Sequence, residues 1–121
     1  MRKKTILIID DEEQFGRLLK LNLEATTEYA GLTATTGEEG LRLVHTHKPD
    51  LVLLDIMMPG SDGLDVLKQI KAMAPDVPVA MVTGVWNEQE AKKAFAAGAF
   101  EYITKPVHLE HLKTALLVKL L

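Results

Sequence analysis

The sequence predicts an open α/β sheet in three layers, with helices on both faces. Two observations lead there: short, nearly continuous apolar runs with polar residues at their ends, and leucines at helical spacing between those runs. The 121 residues fall at a common single-domain size, and an apolar fraction of 47% is enough for one core. One domain covering residues 1–121 is therefore expected.

The runs TILIID at 5–10, LVLLD at 51–55 and VPVAMVT at 77–83 scarcely alternate, which is the pattern of parallel strands covered on both faces. YAGLTA at 29–34 is weaker because Gly31 interrupts it, and reads as an edge strand. FEYITK at 100–105 alternates more and reads as the other edge. Between them, Phe15, Leu18, Leu19 and Leu23 form one buried helical stripe, Leu64, Leu67 and Ile70 a second, and Leu109, Leu112, Leu116 and Leu120 a third. Thr36 with Glu39, and Asn87 with Glu90, have the spacing in which side chains satisfy the first free N–H groups of a helix. Gly98 is expected to end the helix that Asn87 begins. The result is five alternating strand–helix pairs with short connections, without repeat, low-complexity segment or linker.

Composition excludes several classes of function. A net charge of −3 with scattered charges gives no basic field, so neither direct nucleic-acid binding nor an anionic membrane is expected. With no cysteine, disulfides, thiolate zinc sites and thiol catalysis are ruled out. The start MRKK is basic, but the apolar run Ile6 to Ile9 stops at Asp10 and Asp11, too short for a signal peptide or membrane span. A cytoplasmic location follows as the expectation.

Asp10 and Asp11 end the first strand, Asp55 the third, Thr83 the fourth and Lys105 the fifth. In a parallel sheet these ends share one edge, where such folds bind ligands. A single Asp after a strand is equally well read as a helix cap. Five converging polar residues are not. Two like charges about 4 Å apart repel by roughly 4 kcal/mol at an effective dielectric of about 20, so three carboxylates need a cation. Lys105 and one divalent ion bring the formal sum to zero. Oxygen ligands without soft ones favour Mg²⁺, which keeps waters and leaves positions for phosphate oxygens. An Asp held beside Mg²⁺, a Lys and a hydroxyl is equipped to attack phosphorus and form an aspartyl phosphate.

These residues, together with D-x-x-x-P-G at 55–60, DG at 62–63, TG at 83–84, GA at 98–99 and Y-x-x-K-P at 102–106, resemble the receiver domain of two-component response regulators. The likeness covers essentially the whole chain. It implies a flavodoxin-like (βα)5 fold with a parallel five-stranded sheet in the order 2-1-3-4-5. It implies that Asp55 accepts a phosphoryl group from a phosphohistidine of a sensor histidine kinase or phosphotransfer protein. Asp11, Asp55 and the backbone carbonyl of Met57 would ligate Mg²⁺, Asp10 would act mainly through a metal-bound water, and Lys105 would pair with Asp55 before transfer. Thr83 and Tyr102 would be the switch residues, Tyr102 turning inward behind the hydroxyl. Pro106 would make a cis Lys–Pro bond, with a trans Pro opening the last helix as the plain alternative. Such a chain is not a dedicated enzyme, although it catalyses its own Mg²⁺-dependent phosphorylation and slow autodephosphorylation.

The resemblance also places the changed surface at about residues 87–121, where a homodimer could form. The ending LKTALLVKLL is apolar around much of a helix. It reads as core plus a dimer face, or as part of a receiver cut from a longer protein with an output domain; the second is preferred. His45 with His47 and His108 with His111 read as solvated-face residues rather than metal ligands. Trp86 reads as a partner anchor or a packed loop residue, Met58 as packing, and Phe15 with the first helix as a kinase-docking element by analogy. A haloacid-dehalogenase-like phosphohydrolase would need an acid where Met57 stands. A flavin mononucleotide protein would need a phosphate-cradling loop where DDEEQ repels phosphate. The remaining alternative is a receiver-like interaction module that never accepts phosphate.

Overall fold

The computed structural model describes residues 3–58 and 60–121. Five strands form one parallel sheet: β1 (Thr5–Ile9), β2 (Ala30–Ala34), β3 (Leu51–Leu54), β6 (Val79–Thr83) and β7 (Glu101–Thr104), in the order β2-β1-β3-β6-β7. Counting only these strands, the order is the expected 2-1-3-4-5. Two short strands missing from the sequence reading, β4 (Met57–Met58) and β5 (Ser61–Asp62), pair antiparallel beside the sheet. Pro59 of the D-x-x-x-P-G motif lies between them, outside the described residues, as do Met1 and Arg2 of the basic start.

The lack of alternation in the central strands has a direct cause. Leu7, Ile9, Val52, Leu54, Val79 and Met81 point to one face, where they pack with Val44, Leu64, Leu67, Ile70, Ala91 and Ala94. These come from α2 (Gly37–His47), α3 (Gly63–Met73) and α4 (Glu88–Ala96). Ile6, Ile8, Leu51, Leu53, Ala80 and Val82 point the other way, onto Leu19 and Leu23 of α1 (Glu13–Thr26) and Leu112, Leu116 and Leu120 of α5 (Leu109–Leu120). Each fully buried Leu or Ile is worth roughly 1.5–3 kcal/mol, so two-sided burial makes the central strands the most heavily stabilised part of the chain.

The chain leaves β1 for β2 in one direction and runs β2 to β3, β6 and β7 in the other. Right-handed crossovers then place α1 opposite α2, α3 and α4, and the direction reverses between β1 and β3. Helix starts are set locally: Thr36 Oγ1 accepts the Glu39 N–H at 3.0 Å, Asp62 Oδ1 the Leu64 N–H at 2.9 Å and Asn87 Oδ1 the Glu90 N–H at 3.0 Å. Gly98, just past α4, has φ +109°, and its missing side chain leaves room for Lys71, whose Cε would stand 3.2 Å from a Cβ there.

The α1 stripe is narrower than its spacing suggests. Leu19 and Leu23 are buried, but Leu18 is 51% exposed and Phe15 only half-buried, because α1 turns Gly16, Leu19 and Leu23 to the sheet and Leu18 outward. No helix among the described residues is long and apolar enough to cross a membrane.

Candidate functional site

The register of β1 and β3 builds the site. Ile9 pairs with Leu54, so the next residues, Asp10 and Asp55, leave adjacent strand ends together at the point where the chain direction reverses. The Asp55 N–H still bonds to the Ile9 carbonyl at 2.9 Å, which ties one aspartate's backbone to the strand preceding the other. On the far side, the Lys105 N–H donates to the Thr83 carbonyl at 2.8 Å, bringing the ends of β6 and β7 to the same edge.

Asp10 and Asp55 are oriented in the same way. Asp10 Oδ1 accepts the Glu12 N–H at 2.9 Å and Asp55 Oδ1 accepts the Met57 N–H at 3.0 Å. Each carboxylate therefore spends one oxygen on a tight local turn and offers the other to the site. Neither bond caps a helix: Glu12 stands at the start of α1 without a side-chain cap, and Asp55 leads into the short strand β4, so the helix-cap reading does not describe these two acids. Both other oxygens face Lys105, whose Nζ lies 2.7 Å from Asp10 Oδ2 and 3.5 Å from Asp55 Oδ2.

Glu12 is a further partner that sequence reasoning missed, with its Oε1 at 2.7 Å from the same Nζ. The Lys105 ammonium also stands 4.3 Å over the Phe15 ring, a cation–π distance. The one available signal for Glu12 was the unbroken acidic run after β1, which by itself does not say which acid turns inward. Lys105 thus sits closer to Asp10 and Glu12 than to Asp55, and the Lys105–Pro106 bond is cis.

Electrostatics follow from this packing. Burial raises the Asp55 pKa above its ordinary 3.8; the Met57 N–H opposes that, the Asp10 charge adds to it, and Lys105 works against it. For Lys105, burial works to lower the pKa. The bonds to Asp10 and Glu12 and the charges of Asp10 and Asp55 outweigh it, holding the ammonium well above its ordinary 10.5.

One oxygen each from Asp10, Asp11 and Asp55 lies within 4.8 Å of the others, with Asp10 and Asp55 buried and Asp11 exposed. Among the described residues no other group of three such ligands converges, and His45, His47, His108 and His111 are all exposed. The donors are all hard carboxylate oxygens on a site open through Asp11, a set that fits a hard divalent cation.

Two further features concern the residues around Asp55. Gly63 lets α3 start against the segment after β3: a Cβ there would stand 2.5 Å from the Ile56 Cα and 2.7 Å from the Asp55 carbonyl oxygen. That close approach accounts for the DG pair at 62–63. Met57, whose carbonyl was the expected third ligand, lies in β4 with its side chain exposed, while Met58 is buried in the core as expected.

Thr83 is fully buried, and its hydroxyl has no hydrogen-bond partner among the described residues. An unsatisfied buried hydroxyl costs about 1–3 kcal/mol, so this one is held ready for a partner or carried at a loss. Next to it, Tyr102 is 8% exposed and its hydroxyl donates to the Val85 carbonyl at 3.1 Å. Burial raises its pKa above the ordinary 10.0, against the Asn87 N–H. The Trp86 ring meets Tyr102 edge-on, with centroids 5.3 Å apart, yet Trp86 is 62% exposed.

Comparison with known proteins agrees with this geometry. Residues 6–117 match the family model described as response regulator receiver domain. The chain is 42% identical over 85% of its length to the alkaline phosphatase synthesis transcriptional regulatory protein PhoP of Bacillus subtilis (strain 168), of which it spans 42%. It is 39% identical to the chemotaxis protein CheY of Halobacterium salinarum (strain ATCC 29341 / DSM 671 / R1), with 85% of each chain covered. The crystal structure of a CheY-like receiver domain protein from Methanospirillum hungatei JF-1 superposes with a TM-score of 0.93 at 32% identity, covering 98% of this chain and 94% of that one. The chain belongs to the response regulator receiver domain family and has its flavodoxin-like, CheY-like fold. It is thus a receiver domain of two-component signalling. It spans about half or less of the length of the first curated relatives: 42%, 40% and 52%.

Proposed function

We propose that Asp55 is the phosphoacceptor of this receiver domain and takes its phosphoryl group from a phosphohistidine of a sensor histidine kinase or phosphotransfer protein. A carboxylate oxygen of Asp55 attacks phosphorus, the P–N bond breaks, and the imidazole nitrogen leaves with the electron pair and takes a proton from solvent. The observation that carries the reading is the placement of Asp55 at the switch point, one oxygen fixed by the Met57 N–H and the other facing Lys105. Asp11, Asp55 and the Met57 carbonyl would hold Mg²⁺, with Asp10 acting mainly through a bound water. When bound, the ion would supply positive charge for the transferring phosphoryl oxygens.

Lys105 contributes its own positive charge and moves from its carboxylate partners to a phosphoryl oxygen. Thr83 then donates its unpartnered hydroxyl to the new group, and Tyr102 fills the space behind it. A phosphoryl group adds charge and strong acceptors, and it shifts the domain only by its difference in affinity for two packings. The surface that changes is residues 87–121, which would also carry a homodimer. The output is an attached domain or a separate protein in the cytoplasm; the relatives' names, transcriptional regulators and a chemotaxis protein, support both forms. Residues 1–121 act as a single receiver domain that catalyses its own phosphorylation and slow autodephosphorylation.

The test is phosphate incorporation with Mg²⁺ and either a small acyl phosphate or a panel of phosphohistidine donors, in wild type and Asp55→Asn. Labelled wild type and unlabelled variant are expected. Wild type that takes phosphate from neither donor type refutes the switch, and equal labelling of the variant refutes Asp55 as acceptor.

A further inference from the structure

Tyr102 is 8% exposed and packs in the core cluster with Met81, Ala91 and Ala94, while the Thr83 hydroxyl has no partner among the described residues. Beyond that packing, two contacts from the loop between β6 and α4 hold the ring: the Val85 carbonyl accepts the Tyr102 hydroxyl at 3.1 Å, and the Trp86 ring packs against the Tyr102 ring at 90° with centroids 5.3 Å apart. The backbone contact is open to any residue at position 85. The aromatic contact is specific to tryptophan, or to another ring, at position 86.

Burial of Trp86 itself does not explain its place. At 62% exposed, it keeps most of its surface in water, so its contribution to the core is small, while its ring still packs edge-on against Tyr102. The loop is also short. Only Gly84, Val85 and Trp86 separate Thr83 from Asn87, the residue whose side chain starts α4 through the Glu90 N–H. A ring fixed at position 86 thus ties Tyr102 on β7 to the segment that joins the Thr83 hydroxyl to α4.

We infer that Trp86 is a positioning residue for the switch: its edge-on contact favours the inward position of Tyr102, the packing in which the ring lies behind the Thr83 hydroxyl. This rests on the proposed switch roles of Thr83 and Tyr102. Its thermodynamic consequence follows from linkage. If Trp86 favours the packing that the phosphoryl group also favours, removing it must weaken binding of a phosphoryl mimic, by at most the same factor. An edge-to-face pair is worth about 0.5–1.5 kcal/mol, so the weakening is expected to reach at most roughly two- to tenfold.

The experiment compares wild type, Trp86→Ala and Trp86→Phe in two measurements. The first needs no ligand: NMR relaxation of the Tyr102 ring by a soluble paramagnetic agent reads how far the ring is exposed. Stronger relaxation in Trp86→Ala, returned towards wild type in Trp86→Phe, is expected; an unchanged Tyr102 in Trp86→Ala overturns the inference. The second is titration with beryllofluoride in Mg²⁺, with Asp55→Asn as control. Weaker binding by Trp86→Ala and intermediate binding by Trp86→Phe are expected, and equal or tighter binding by Trp86→Ala overturns the inference. Wild type that binds no beryllofluoride would refute the acceptor reading instead, and the ring exposure then decides alone whether Trp86 positions Tyr102. Because Trp86 is mostly exposed, both variants are expected to fold.

Discussion

At the amino-terminal end of the sheet, Asp50 Oδ2 accepts the Thr5 N–H at 2.7 Å, and Lys71 Nζ donates to the Val77 carbonyl at 2.8 Å. At the carboxyl end, three carboxylates crowd within 4.8 Å, Lys105 is shared among Asp10, Glu12 and Asp55, and the Thr83 hydroxyl has no partner. The same parallel strands run between these ends, so the difference lies in the residues that leave them. The charged groups before the strands serve backbone hydrogen bonds, while Asp10 and Asp55 after the strands each give one oxygen to the backbone and bring the other, like-charged, to the shared Lys105. A fold can hold such a conflict because two-sided burial of β1, β3 and β6 stabilises the frame independently of its polar edge.

Substitutions at the two ends should therefore differ in reach: at the carboxyl edge both stability and phosphate response change, at the amino-terminal end stability alone. The largest effect is expected from Lys105→Ala. It leaves Asp10 and Asp55 uncompensated, so without divalent cations the variant should lose about 1–3 kcal/mol, between the values for exposed and buried pairs. Denaturation with and without Mg²⁺ checks this, since an ion bound only by the folded state should return part of the loss. Phosphorylation should also fall by roughly tenfold or more, because a positive charge facing the transferring group is gone. Unchanged phosphorylation and unchanged switching in this variant would remove Lys105 from the mechanism.

Asp55→Asn should show the opposite sign in stability. Because the folded pKa of Asp55 is raised, the folded state holds that proton more tightly than the unfolded chain. The favourable contribution is complete below the unfolded value, near 3.8, and is lost as pH rises through the folded value. At pH 7 the ionised carboxylate counts against folding, so in chelator the variant should be more stable than wild type. That advantage should shrink as pH falls towards 4. A pH-independent difference in urea midpoint would contradict the assignment.

Thr83→Val replaces the orphan hydroxyl with a methyl group of similar shape. The variant is expected to gain about 1 kcal/mol in urea denaturation while losing its response to beryllofluoride. A loss of stability would mean that the hydroxyl has a partner. The smallest effect belongs to the other end: Asp50→Ala should cost about 1 kcal/mol through the Thr5 N–H and leave phosphate incorporation at the wild-type level. Reduced incorporation in that variant would dissolve the distinction between the two ends.

The frame was legible where burial leaves a strong periodic trace. β1, β3 and β6 read as continuous apolar runs because both faces are covered, and Thr36 and Asn87 marked their helices because a cap is a local event. Leu18 was misplaced because a stripe of spacing does not reveal how a helix is rotated on its sheet. The β4–β5 pair escaped because strands of two residues have no period to detect. Asp10, Asp11, Asp55, Thr83 and Lys105 could be placed at one edge from strand order alone. Their contacts could not: Glu12 reaches Lys105 across 93 residues of chain, and Tyr102 reaches Val85 across 17. Such pairings follow from the register of the strands and the course of the loops, which become visible only when the chain is folded.

The central claim is that the conflict at the carboxyl edge makes one particular carboxylate a nucleophile. Borohydride reduction of the phosphorylated protein tests it most directly, because reduction of an aspartyl phosphate yields homoserine, whose position peptide mass spectrometry reads. After reaction with an acyl phosphate in Mg²⁺, homoserine is expected at position 55 and not at 10 or 11, and it should be absent when Mg²⁺ is chelated. Homoserine at position 10 or 11, or none in protein that has incorporated phosphate, would contradict the assignment of Asp55.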